Sequence, residues 1–171
     1  MQKSIPLFIL MFFLGLQMIS ARVKSDGKIL STAESAMKDL SGAGSVKRII
    51  NTPFAPKPIG PFSQAVEING TLYISGQLPL DPITGKMAEG GITGQTEQVM
   101  KNIGAILKAA GYDFKDVVKS TCLLSDMENF TAMNSVYGKY YPEDPPARVT
   151  CSVVKLPLGA LVEIETIAVK P

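Results

Sequence analysis

The chain has 171 residues, room for one globular domain with a sizeable core, and its 46% apolar and 19% charged content is ordinary for a folded domain. A net charge of +2, spread without a basic stripe interleaved with aromatics, gives no nucleic-acid signal. The absence of histidine removes Ser/His/Asp and Cys/His catalysis, the common zinc ligand sets and any imidazole base.

Residues 1–21 differ in kind from the rest. Lys3 opens a short basic end, Ile5 to Ile19 is almost wholly apolar, and Ser20-Ala21 supplies small residues before Arg22. That is the three-part layout of a secretory signal, with cleavage expected after Ala21. Two readings compete with it: an uncleaved membrane anchor, opposed by Pro6 and Gln17, and an organelle-targeting leader, opposed by the scarcity of Arg. Residues 22–45 are polar and read as a linker or propeptide, with a short helix from Ser31 to Leu40 permitted by a Ser31/Glu34 capping box.

The folded domain is expected over 46–171. Asn51 to Gly60 holds three prolines and reads as an extended lead-in. Ser63 to Ile68, Asn69-Gly70 and Thr71 to Gly76 form a hairpin around the turn pair favoured for type I′. The glycine-rich run Gly90 to Gly94 is neither a dinucleotide fingerprint nor a phosphate loop with its Lys, and it releases the chain into a helix. That helix, Gln95 to Ala110, places Val99, Ile103, Ile106, Leu107 and Ala110 on one face and stops at Gly111. Val117 to Ser125 is a strand. Asn129 to Tyr141 is a second helix with Phe130, Met133, Val136, Tyr137 and Tyr140 inward, ended by Pro142.

Two more strands close the domain. Arg148, Thr150 and Ser152 alternate with Val149, Cys151 and Val153, and Glu163 and Glu165 alternate with Val162 and Ile164. Folding these strands back antiparallel, with Ser152 opposite Glu163, would put Arg148, Thr150, Ser152, Glu163 and Glu165 on one surface. On pattern alone such a surface is the solvated face of a sheet. The predicted order β-β-α-β-α-β-β makes an α+β two-layer sandwich with one sheet face uncovered, where Ser and Thr suit a wet contact. Cys122 and Cys151 are too few and too far apart for zinc, and both read as small buried hydrophobes; a disulfide between them would need an oxidising compartment and matching geometry. Asn69-Gly70-Thr71 and Asn129-Phe130-Thr131 match the glycosylation acceptor pattern, which matters only on the secretory route.

Several runs then converge. Pro146-Ala147-Arg148, Leu156-Pro157 and Val162-Glu163-Ile164-Glu165, together with Ile59 to Ala65, Tyr73 to Gln77, Lys108 to Gly111 and Val117 to Thr121, resemble the motifs of the reactive intermediate deaminase A (RidA/YjgF) family in order and spacing. The resemblance covers about Lys47 to Val169. It implies a fold similar to chorismate mutase, a homotrimer whose three sheets line a central barrel, and sites in clefts between subunits. The implied reaction is hydrolysis of 2-iminobutanoate or 2-iminopropanoate to the 2-oxo acid and ammonia, with no cofactor. Arg148 would hold the substrate carboxylate and Glu163 would orient or deprotonate the attacking water.

The supporting residues also come from the resemblance. Gly76 and the backbone at Thr150 would contact the substrate through main-chain groups, with Ser75 beside them and Asn134 near the cleft. Phe62 stands where most deaminating members carry Tyr, and Thr150 where Cys is common. The implied partners are a small-molecule substrate and two further copies of the chain, with no nucleic acid and with membrane contact only through an uncleaved leader. Family members are mostly cytosolic, mitochondrial or plastid, so the leader is a departure. Two rival functions stay open: a non-catalytic ligand-binding or chaperone-like protein, and a ribonuclease or translation inhibitor.

Overall fold

The computed structural model describes residues 46–170; the leader and linker readings lie outside them. In chain order the elements are β1 (Arg48–Ile50), β2 (Ala65–Ile68), β3 (Thr71–Gln77), α1 (Gly91–Ala110), β4 (Val117–Leu124), α2 (Phe130–Tyr137), β5 (Ala147–Ser152) and β6 (Val162–Val169). They form one six-stranded sheet in the order β1-β2-β3-β6-β4-β5. Neighbours are antiparallel except β4 and β5, which run parallel.

Local chemistry explains most of these elements. Asn69 and Gly70 both adopt positive φ (51° and 71°), the backbone a type I′ turn demands, and they set the β2/β3 hairpin. Helix α1 buries Val99, Met100, Ile103, Ile106, Leu107 and Ala110 against Leu72 and Ile74 of β3 and Val162, Ile164 and Ala168 of β6. It ends where Gly111, at φ 87°, donates its N–H back to the Lys108 carbonyl while Tyr112 N–H reaches that of Leu107. At the other end Gly94 lies so close to the Glu89 carbonyl that a Cβ there would overlap it, which explains the glycine run.

The fold departs from expectation in three ways. A first strand, β1, precedes the hairpin; three residues among polar neighbours are too short to show a period. The second helix ends at Tyr137 and continues as a 3₁₀ turn over Gly138–Tyr140. Most consequentially, the antiparallel β5/β6 pairing does not form. Val153 N–H continues the β5 ladder onto the Leu124 carbonyl, and the chain then turns through Leu158 and Gly159, both at positive φ. Leu161 is caught at the far end of β4, its N–H on Gln95 Oε1 at 2.8 Å and its carbonyl accepting from Ser125 N–H. The connection therefore passes over the end of β4, and β6 enters between β3 and β4 instead of beside β5.

This overturns the shared surface. Arg148 is level with Ser120 on β4, which is level with Thr166 on β6, and Ser120 and Thr166 are buried under the helices. Glu163 is level with Leu123, which is level with Cys151. Arg148 and Thr150 thus belong to the helix-covered face, Glu163 and Glu165 to the other. The uncovered face carries Tyr73, Val149, Ile167 and Val169 alongside Thr71 and Thr121, while Thr150 and Ser152 turn to the helix-covered side. Cys122 is buried as expected but Cys151 is exposed, because β5 is an edge strand; the two thiols are free and on opposite faces.

Candidate active site

Two half-sites result, one on each face. The first surrounds Arg148. Its guanidinium Cζ lies 4.7 Å from the centroid of the Tyr137 ring and 6.0 Å from that of Phe130, both on α2. No ion pair among the described residues includes Arg148. The cation is therefore held by aromatic faces, an interaction of about 0.5–2 kcal/mol that leaves its N–H fork unspent.

Asn134, Tyr137, Gly138, Tyr141, Pro145, Pro146 and Arg148 line a cleft of about 380 Å³. Asn134 Oδ1, Tyr141 OH and Thr150 Oγ1 are buried there or beside it without a hydrogen-bond partner. A cation with free donors, beside the hydroxyl of Tyr141, makes this half a receptor for a small anion. Beneath it, burial pushes the Cys122 thiol up to about 11, against the lowering effect of Arg148 and Thr150, so this thiol stays protonated and inert.

The second half gathers Phe62, Ser75, Gly76 and Glu163. A Cβ at Gly76 would sit 2.9 Å from Glu163 Cδ and closer still to Oε1, so the carboxylate occupies the space a side chain would fill. The register of β3 against β6 slips between Ile74 and Gln77, and that bulge is what brings the Gly76 backbone toward Glu163. Burial raises the Glu163 carboxyl above its ordinary range, and the neighbouring Glu165 charge adds to the shift. A carboxylate so raised is a stronger base than one in water.

Beside it a small pocket is lined by Pro56, Pro58, Ile59, Phe62, Gln64 and Gly76. Gln64 builds this wall. Buried on β2's entry, its amide donates to the carbonyls of Thr52, Ala55 and Pro56 and accepts from Thr52 N–H, fixing the proline-rich lead-in. Ser75 donates its hydroxyl to the Ser63 carbonyl at 2.7 Å and so has no proton left for a ligand. Phe62 presents a half-exposed ring with no hydroxyl toward this pocket.

The residues singled out in the sequence thus fall into two sets within one protomer. Arg148, Thr150 and Asn134 meet on the helix side; Glu163, Gly76, Ser75 and Phe62 meet on the other. The helical spacing marks Tyr137 only as an inward position, yet it carries the arginine; its place three residues after Asn134, on the same helical face, is the available signal.

The profile of the family described as Endoribonuclease L-PSP matches residues 52–170. The chain belongs to this family, that of reactive intermediate deaminase A. It is 52% identical over 125 residues to a goat (Capra hircus) protein named 2-iminobutanoate/2-iminopropanoate deaminase, covering 73% of this chain and 91% of that one. It is 45% identical over 133 residues to the Arabidopsis thaliana protein named Reactive Intermediate Deaminase A, chloroplastic, covering 78% of this chain and 71% of that one. Among solved structures, one from Thermotoga maritima matches with a TM-score of 0.72 at 45% identity, covering 74% of this chain and 99% of that one. The RidA-family fold and the mixed α+β architecture are therefore shared.

Proposed function

We propose that the chain is a cofactor-independent deaminase that hydrolyses 2-iminobutanoate, 2-iminopropanoate or close relatives to the 2-oxo acid and ammonia. The observation that carries this reading is the unspent guanidinium fork of Arg148 in a small cleft, the geometry for one carboxylate. Glu163 is the base. It takes a proton from water as the oxygen bonds to the imine carbon and passes that proton to the carbinolamine nitrogen; it then takes the hydroxyl proton as the carbon–nitrogen bond breaks, so that ammonia leaves and the carbonyl forms. The protonated imine is already electrophilic, so the step needs positioning more than activation.

Arg148 and Glu163 act together here because the active unit is a homotrimer. One protomer contributes the Arg148 half and its neighbour the Glu163 half, in a chorismate mutase-like assembly whose sheets line a central barrel. The uncovered sheet face supports this, since Tyr73 and Val149 are each nearly half exposed there. The name of the Arabidopsis relative supports an organelle-targeting leader as the rival to secretion. A ribonuclease reading draws on the family description alone, and a chain without histidine lacks the usual acid–base pair for RNA cleavage.

The test is release of 2-oxobutanoate from 2-iminobutanoate generated in place by a threonine dehydratase, with the full chain and an Arg148→Ala control. Acceleration that vanishes in the control is the expected result. A folded protein that binds 2-oxobutanoate through Arg148 without accelerating its release would instead mark a non-catalytic binding protein, the reading that Phe62 favours.

A further inference from the structure

Arg148 raises a physical problem that the carboxylate-clamp reading leaves open. A long cationic side chain on an edge strand has several rotamers, and no carboxylate or carbonyl among the described residues fixes this one by a hydrogen bond or ion pair. A fork that binds bidentately has to hold its plane. What holds it is a stack with defined depth. The Tyr137 ring lies 4.7 Å from the guanidinium, Tyr137 is itself only 4% exposed, and its hydroxyl donates to Ser120 Oγ at 3.0 Å. Ser120 is fully buried and is the β4 residue directly level with Arg148. The strand position that launches the arginine therefore also anchors, through its neighbour's hydroxyl, the ring on which the arginine rests.

We infer that Tyr137 is the positioning residue for Arg148: its ring face sets the plane and reach of the guanidinium, and the Ser120 bond sets the tilt of the ring. The ring does this without spending donors. A carboxylate partner would fix the arginine equally well but would occupy the fork and neutralise the charge meant for the ligand. Phe130, 6.0 Å away, bounds the cation on a second side, and Asn134, one helical step before Tyr137, borders the same cleft. The unpartnered oxygens of Asn134, Tyr141 and Thr150 leave that cleft polar without supplying a competing negative charge. Specificity for a carboxylate is thereby built from neutral groups around one stacked cation.

This inference rests on Arg148 binding the substrate carboxylate, so its test carries that premise separately. Binding of 2-oxobutanoate, the product-side carboxylate, is measured by calorimetry for the full wild-type chain, Arg148→Ala, Tyr137→Phe and Tyr137→Leu, alongside KM and kcat for imine hydrolysis. The expected pattern is a Tyr137→Leu Kd and KM raised roughly tenfold with kcat changed much less, and rescue of both by Tyr137→Phe to within about threefold of wild type. Because Tyr137→Leu also opens the core, a second pair keeps the shape and changes only the ring's electrons. Pentafluorophenylalanine at position 137 should weaken 2-oxobutanoate binding relative to Tyr137→Phe, as a cation loses its attraction to an electron-poor face. Equal binding by the phenylalanine and pentafluorophenylalanine proteins, with wild type binding normally and Arg148→Ala not, would overturn the positioning role. Wild-type binding that Arg148→Ala leaves intact would overturn the clamp itself.

Discussion

Arg148 and Glu163 lie in one small domain, two strands apart, in opposite settings. The arginine sits on the helix-covered face against aromatic rings, while the glutamate sits on the uncovered face, pressed into the space above Gly76. The cation keeps its donors free and the carboxylate keeps a raised proton affinity. On a common face they would pair, and each would lose the property that makes it useful: the fork would be occupied and the carboxyl driven down. Separation by the thickness of a sheet preserves both within one protomer.

Complementation between variants tests this separation most sharply. Arg148→Ala and Glu163→Gln should each lower kcat/KM by roughly 10²-fold or more. If halves come from different protomers, co-refolding the two inactive proteins should return activity to about a quarter of the sites in closed trimers. Steady-state assay of the mixture reads this directly, and a mixture as inactive as its components would mean that one protomer supplies both groups.

Next in size is Gly76→Ala. The added methyl has to displace the Glu163 carboxylate, and a base moved by about 1 Å lowers kcat by on the order of 10²-fold. Substrate affinity on the Arg148 side should change little, so the split between kcat and KM identifies which half was touched.

The acid limb of the pH profile offers a smaller effect. With Glu163 as the proposed base, kcat/KM should rise with pH through a value above the ordinary glutamate range, and Glu165→Gln, which removes the like charge, should move that limb to lower pH. Stability follows with the opposite sense. Folding favours the protonated carboxyl, so this contribution is present in acid and is lost as pH rises through the raised folded value. Glu163→Gln should accordingly raise Tm at neutral pH and not in acid, as read by thermal denaturation at both. Phe62→Tyr is expected to be the mildest change. It restores one donor beside the Glu163 half and should raise kcat about two- to tenfold.

Local patterns were legible in the sequence where one residue type dictates a conformation. Asn69-Gly70 can hardly be anything but a tight hairpin, and the apolar spacing of α1 and the stop at Gly111 allow one reading. The alternation within β5 and β6 is also legible, since it is a property of each strand alone, but β5 turns its Arg148, Thr150 and Ser152 side to the helices. The relation of the two strands is not. Consecutive strands usually pair, and nothing in Val153 to Leu161 announces that Gln95, some sixty residues earlier, will catch Leu161 at the far end of β4. The same non-local step hid the separation of Arg148 from Glu163, because the family motifs name both residues without recording the face each occupies.

Strand β5 has one further consequence, for the life of the newly made chain. It is the outermost strand on its side of the sheet, and along it Val149 and Cys151 are exposed. An edge of unsatisfied backbone with an apolar flank is a template on which a stranger's strand can polymerise. A lone chain is therefore most vulnerable during synthesis. Its yield should depend less on intrinsic folding than on how quickly that edge is hidden, falling when translation is fast and copies are dilute relative to other nascent chains.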